Sequence, residues 1–185
     1  MKRFSLLLTL FLFYGCDSAT EGTPLAHHQR NPALNEFNTE TIAWHTDNGE
    51  GLRMFMDDRY LYLQFDHSRV SAEASKYIQF IIDSDNNVST GNLTTENGAD
   101  YIVENGYLYR AKRPDKWDWE EIRKVDSVVE PQRDTVRIEK SMLAPLSENF
   151  CVNAEVLNAN LEPILYSPDA KDANGNHLKT HYLTP

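Results

Sequence analysis

The residues best suited to chemistry lie between positions 82 and 104. Asp83, Asp85 and Asn87 place oxygen donors at alternate positions on a chain leaving an apolar run. Hard cations such as Ca²⁺ gather about six to eight oxygen ligands from loops of this kind. The spacing is not that of an EF-hand, since Val88 stands where that motif needs glycine and Thr94 where it needs a bidentate glutamate. A cation here must draw its remaining ligands from elsewhere; Asp100 and Glu104 are the nearest acidic groups, and backbone carbonyls are further donors. The same residues have a second reading, a solvated turn in which Asp and Asn side chains bond their own backbone.

Aromatic residues supply the other candidate chemistry. Trp44, Trp117 and Trp119, with Tyr107 and Tyr109, are flat surfaces on which the C–H face of a pyranose packs. In Trp117-Asp118-Trp119 the alternation puts both indoles on one face of a strand. On a solvent face they form a glycan platform; on an inner face they pack between sheets and bury large apolar area.

Catalytic signatures are missing. The chain has no G-x-S-x-G, no H-E-x-x-H, no C-x-x-C and no Gly-rich phosphate loop. Asp57-Asp58 and Glu120-Glu121 are neighbours in sequence, so in strands their carboxylates point to opposite faces and do not converge on a substrate. His45, His67, His177 and His181 are scattered singly, and His27-His28 sits in a polar stretch. The expectation is a protein that is not an enzyme; a glycosidase built from distant carboxylates is the least favoured alternative.

The elements that must position these groups read as strands. From Thr41 onward, apolar residues recur with a period near two in short runs broken by Asn, Asp, Gly and Pro. Residues 51–56 and 59–66 flank Asp57-Asp58 as a hairpin, with Leu61, Leu63 and Phe65 on one face. Residues 77–83 are apolar on both faces, as in a central strand. Residues 101–104 and 107–111 are joined by Asn105-Gly106, a dipeptide that tolerates positive φ in a two-residue turn. Further runs span 117–122, 124–130, 135–140, 150–158 and 163–167, with a turn at Pro131-Gln132-Arg133-Asp134. Only residues 141–146 suggest a helical turn, which Pro145 keeps short. About ten short strands predict an all-β antiparallel β-sandwich, jelly-roll or immunoglobulin-like.

In their order, the loop Ile82-Asp83-Ser84-Asp85-Asn86-Asn87-Val88-Ser89-Thr90-Gly91, the segment Gly98-Ala99-Asp100-Tyr101-Ile102-Val103-Glu104, Leu108-Tyr109 and Trp117-Asp118-Trp119 resemble domains of the family 9 carbohydrate-binding module type and related DOMON-like sandwiches. The likeness spans roughly a quarter of the chain. It implies a β-sandwich, with bound calcium in some members and sugar binding in some.

The start of the chain predicts export. Lys2 and Arg3, an apolar run from Leu6 to Phe13 and Tyr14-Gly15 precede Cys16. The run is shorter than the roughly 20 residues that span a bilayer. Leu12-Phe13-Tyr14-Gly15-Cys16 resembles a bacterial lipobox, although Phe13 and Tyr14 replace the usual small or aliphatic residues. It implies a signal peptide over 1–15 and an acylated Cys16. Residues 16–35 read as a flexible tether and 36–185 as one domain. Cys151 then has no partner and reads as a buried free thiol; a Cys16–Cys151 disulfide is the competing idea. Asp17 resembles the signal that retains enteric lipoproteins at the periplasmic face of the inner membrane; where that rule does not apply, the outer membrane is the alternative.

Without residues 1–15 the chain carries 16 basic against 28 acidic side chains, a net charge of −12. Such a surface repels nucleic acid and anionic headgroups, so membrane attachment must come from the lipid. The expectation is a lipid-anchored binding module of the bacterial envelope, for glycan or another small polar molecule, with calcium stiffening a loop. The alternative is an envelope lipoprotein acting through protein contacts.

Overall fold

The computed structural model describes residues 51–71, 73–75, 77–169, 171–175 and 179–181, with the side chains of 180 and 181 excepted. The expected signal peptide, Cys16, Asp17, the tether, Trp44, His45 and His177 lie outside the described residues.

The described chain is an all-β structure of two antiparallel sheets, a β-sandwich. In chain order the strands are β1 (Leu52–Met56), β2 (Tyr60–Asp66), β3 (Tyr77–Asp83), β4 (Tyr101–Glu104), β5 (Tyr107–Ala111), β6 (Trp119–Lys124), β7 (Asp126–Glu130), β8 (Arg133–Glu139), β9 (Cys151–Leu157), β10 (Pro163–Ser167) and β11 (Thr180–His181). One sheet has four strands in the order β1-β2-β8-β7. The other has seven, in the order β10-β9-β3-β4-β5-β6 with β11 also on β9.

Period-two patterning explains the layers. Leu52 and Met54, then Leu61, Leu63 and Phe65, then Val136 and Ile138 line the inner face of the small sheet. Ile78, Phe80 and Ile82 with Val152, Ala154 and Val156 meet them from the large one. Each fully buried side chain of this kind stabilises the fold by about 1.5–3 kcal/mol. β3 lies between β9 and β4 and is buried along nearly its whole length, as its two-sided apolar pattern requires. Val125 is where the chain leaves one sheet for the other; it is buried, and its N–H donates to Gly106 O at 2.9 Å. The β4–β5 turn has positive φ at Asn105 (52°) and Gly106 (78°), the geometry that Asn-Gly favours.

Several boundaries differ from the sequence reading, three of them with a clear cause. β8 begins at Arg133, so only Pro131 and Gln132 make the turn. Arg133 is held in the ladder by Asp66 (3.3 Å) and Asp134 by buried His67 (3.4 Å), polar cross-strand pairs that apolar periodicity does not register. β6 begins at Trp119, because Lys112 N donates to Asp118 O and keeps residues 112–118 as a loop. The helical turn is a single 3₁₀ turn over Lys140–Met142. Cys151 is buried, and Cys16, its competing disulfide partner in the sequence reading, lies outside the described residues.

Candidate cation site and the adjoining cleft

Because the large sheet is antiparallel, the end of β3, the start of β4, the end of β5 and the start of β9 share one rim. Asp83 is the last residue of β3 and Asp100 the residue before β4, so the ladder itself brings these carboxylates together; Asp100 N donates to Ile82 O at 2.9 Å. The loop leaving β3 returns Asp85 to the same place. Oxygens of Asp83, Asp85 and Asp100 all lie within 4.8 Å of one another. Ligands about 2.3–2.6 Å from one Ca²⁺ are at most about 5 Å apart, so the spacing and the hard-oxygen chemistry fit that ion.

The loop is fixed by its own bonds. Asn87 N donates to Asp83 Oδ1 (3.1 Å) and Asp85 Oδ1 (3.0 Å), and Thr90 Oγ1 donates to Asp85 (3.0 Å). Ser84 donates to Asp100 Oδ2 through both N (2.9 Å) and Oγ (2.7 Å). The loop folds back at Gly91 and Gly98, both at positive φ. A Cβ on Gly91 would stand 2.3 Å from Gly98 O, so only glycine permits this crossing.

Asp83 is fully buried, and Lys179 supplies its counter-charge. The ammonium donates to Asp83 Oδ2 at 2.9 Å and to Asn97 O at 3.2 Å. Burial pushes the Asp83 carboxyl above its ordinary range, with Asp100 adding to the push; Lys179 and the Asn87 N–H pull it back. Three carboxylates and one ammonium leave two negative charges at the rim, equal to the charge of one divalent ion. Cys151, opposite Asp83 in the ladder, donates to Asn86 Oδ1 at 3.0 Å, and burial pushes its thiol up to about 11.

Beside the carboxylates opens a cleft of about 410 Å³. One wall is Ser84, Asp85, Thr90 and Asp100; a second is Arg110, Lys112 and Arg113; Ala144 and Pro145 complete the lining. The walls are tied together at their back. Buried Asn92 donates through Nδ2 to Lys116 O (2.7 Å) and Arg113 O (3.4 Å), and Leu93 N donates to Pro114 O (2.7 Å). On the Ala144 side, Tyr101 OH donates to Ala144 O (3.0 Å) and Ser147 N to Ser84 O (2.7 Å).

Of the sequence-derived metal ligands, Asp83, Asp85 and Asp100 converge. Asn87 contributes through its backbone N–H, while its side-chain Oδ1 accepts from Ser89 N (3.1 Å). Glu104 is not part of the cluster. It lies at the far end of β4, about 13 Å along the strand from Asp100. There it stands on the outer face of the large sheet and accepts a hydrogen bond from Gln79 Nε2. Glu155 flanks Gln79 on the other side in the same cross-strand row; it is buried, and that burial together with Glu104 and Glu96 pushes its carboxyl up to about 7.

The aromatic residues are on this outer face too, away from the cleft lining. Trp117 and Trp119 meet edge to face at 5.3 Å between ring centres. Trp119 is buried against Ile81, Ile102 and Tyr109, while Trp117 and Tyr107 are half-buried beside it. The two indoles do pack together, but Trp117 precedes β6, so strand alternation does not set its position.

Sequence reasoning did not find Lys179, Asn92 or the basic wall. Arg110, Lys112, Arg113 and Lys116 form a visible cationic run in an acidic chain, a signal that was there to read. Lys179 and Asn92 carry none, being single polar residues in polar stretches. Comparison with family models, curated proteins and solved structures finds no match for this chain.

Proposed function

We propose that this protein is a non-catalytic binding module whose rim loop is organised by a divalent cation, with Ca²⁺ the best fit, and whose ligand occupies the adjoining cleft. The observation that carries this reading is the convergence of Asp83, Asp85 and Asp100 within 4.8 Å beside a cleft of about 410 Å³. A cation there would be held by the three carboxylates, and its charge would offset their mutual repulsion and fix the 84–100 loop. The cleft is within the size range of small-molecule sites and is bounded by hydroxyl and charged groups suited to a polar ligand. The outer-face aromatics favour this location over a glycan platform at Trp117 and Trp119, because Trp119 is already covered. The carboxylates of Glu104 and Glu155 do not argue for hydrolysis, since Gln79 fills the space between them.

The expected leader and Cys16 place the module on an envelope membrane in this reading, with residues 16–35 as the spacer. Loss of labelled palmitate incorporation in Cys16→Ser tests that part separately. For the cation, chelator-treated protein should gain thermal stability on titration with CaCl₂, by about 2.7 kcal/mol at a hundredfold excess over Kd. Asp85→Asn should remove most of that gain. A melt indifferent to calcium in the unsubstituted chain refutes the reading.

A further inference from the structure

The cationic wall points to what the cleft takes. Arg110, Lys112 and Arg113 line it in a chain whose net charge is −10. Their carboxylate partners stand behind them, outside the lining: Glu120 for Arg110 at 2.8 Å and Asp118 for Arg113 at 2.7 Å, with Lys112 at 3.9 Å from the same Asp118. Three cations thus share two carboxylates. Among the described residues no ion pair crosses from this wall to Asp85 or Asp100. The walls are fixed relative to each other by the Asn92 and Leu93 bonds that tie them at the back and by the Tyr101 and Ser147 bonds at the side. The gap is therefore built in, and what complements it is a molecule with an anionic group toward the arginines and oxygen ligands toward the acidic corner.

We infer that the cleft binds an acidic saccharide, a hexuronate unit, and that it does so together with the divalent ion. This rests on the cation reading above. The sugar carboxylate meets Arg110 and Arg113, whose planar guanidinium groups suit a carboxylate in a two-pronged fashion. Ring hydroxyls meet the Asp85, Thr90 and Asp100 wall and complete the coordination of an ion held there. Ala111, Pro114, Ala144 and Pro145 offer apolar surface for the C–H face of the ring. A neutral sugar leaves the cationic wall unused. An amino acid uses both walls directly but sets its ammonium against the calcium.

Isothermal titration of the full chain with digalacturonate, with cellobiose and with glycine, each in excess CaCl₂ and again in EDTA, tests the inference. Digalacturonate should bind in calcium, at least tenfold more weakly in EDTA, and at least tenfold more weakly to Arg110→Ala/Arg113→Ala. Both arginines are exposed at the surface, and the variant's melting temperature checks its fold. Equal binding of cellobiose, unchanged affinity in the double variant, or glycine binding that calcium weakens would each overturn the acidic-saccharide assignment. A calcium-induced rise in melting temperature without digalacturonate binding would overturn it as well, while leaving the cation reading intact. No calcium effect on the melt defeats the cation reading itself.

Discussion

Replacing Lys179 with methionine isolates the electrostatic logic of the rim. Methionine keeps an unbranched apolar stem and removes only the ammonium, leaving Asp83 buried without its counter-charge. Removing one member of a buried ion pair costs about 3–5 kcal/mol. The lower end applies here, because Lys179 keeps some contact with water and the Asn87 N–H still supports the carboxylate. A loss of about 3 kcal/mol lowers the melting temperature of a domain this size by roughly 10 °C. The sign with pH follows from the raised Asp83 carboxyl. A group whose folded pKa lies above its unfolded value destabilises the fold as pH rises through it, and losing the ammonium raises it further. The gap between Lys179→Met and the parent should therefore be widest near pH 8 and narrow toward pH 4. Calcium should narrow it, since the ion supplies positive charge to the rim from which the ammonium has been removed. Thermal melts of both proteins at pH 4, 6 and 8, with EDTA and with CaCl₂, measure all of this. A variant as stable as the parent in EDTA at pH 8, or a calcium effect no larger in the variant than in the parent, refutes the reasoning.

Glu155 gives an independent pH signature. Its carboxyl titrates near 7 in the fold against an ordinary value near 4.5, so the folded chain holds a proton that the unfolded chain releases across that interval. Stability should fall as pH rises from about 4.5 to 7, by something on the order of 3 kcal/mol, and Glu155→Gln should flatten the trend in urea unfolding; a parent that gains stability over this range through Glu155 would contradict it. Asn92→Ala should cost about 2 kcal/mol by leaving the Lys116 and Arg113 carbonyls without their donor. Because the same bonds tie the two walls together, limited proteolysis should then cut within 112–118 faster than in the parent, and equal cutting rates would show that Asn92 does not hold the wall.

Much of the fold could be read from the chain because its signals are local. The two-sided apolar run Ile78, Phe80, Ile81 and Ile82 marks a strand with neighbours on both edges, and Asn105-Gly106 specifies a turn with two positive φ values. Asp83 and Asp85 were legible for the same reason, as alternate oxygen donors at a strand end. Asp100 was nominated by proximity in sequence, and so was Glu104. Only pairing of β3 with β4 separates them, since it sets one at the rim and the other a strand length away. Lys179 reaches Asp83 across 96 positions, and β11 is two residues long, too short for any periodicity to declare it. The shifted start of β8 had a similar cause: Arg133 and Asp134 look like turn residues until Asp66 is found opposite Arg133 and His67 diagonally across from Asp134.

The arrangement of charge explains why the candidate site sits at the rim rather than on a sheet face. Carboxylates in the middle of an antiparallel sheet are neutralised by protonation when buried, as the upward push on Glu155 beside Glu104 illustrates. At the end of β3 a carboxylate meets positive groups that the sheet interior lacks, loop N–H groups and a lysine from the segment before β11, with room beside them for an ion. Asp83 is as fully buried as the core around it, yet it has the Asn87 N–H on one oxygen and the Lys179 ammonium on the other. A divalent ion adds to this set rather than replacing it, because Asp85 and Asp100 retain two negative charges that Lys179 does not reach. The basic wall of the cleft then adjoins a corner close to neutral instead of strongly acidic. That change removes the repulsion an incoming anion would otherwise meet, which is the physical reason that cation and acidic ligand should bind better together than apart.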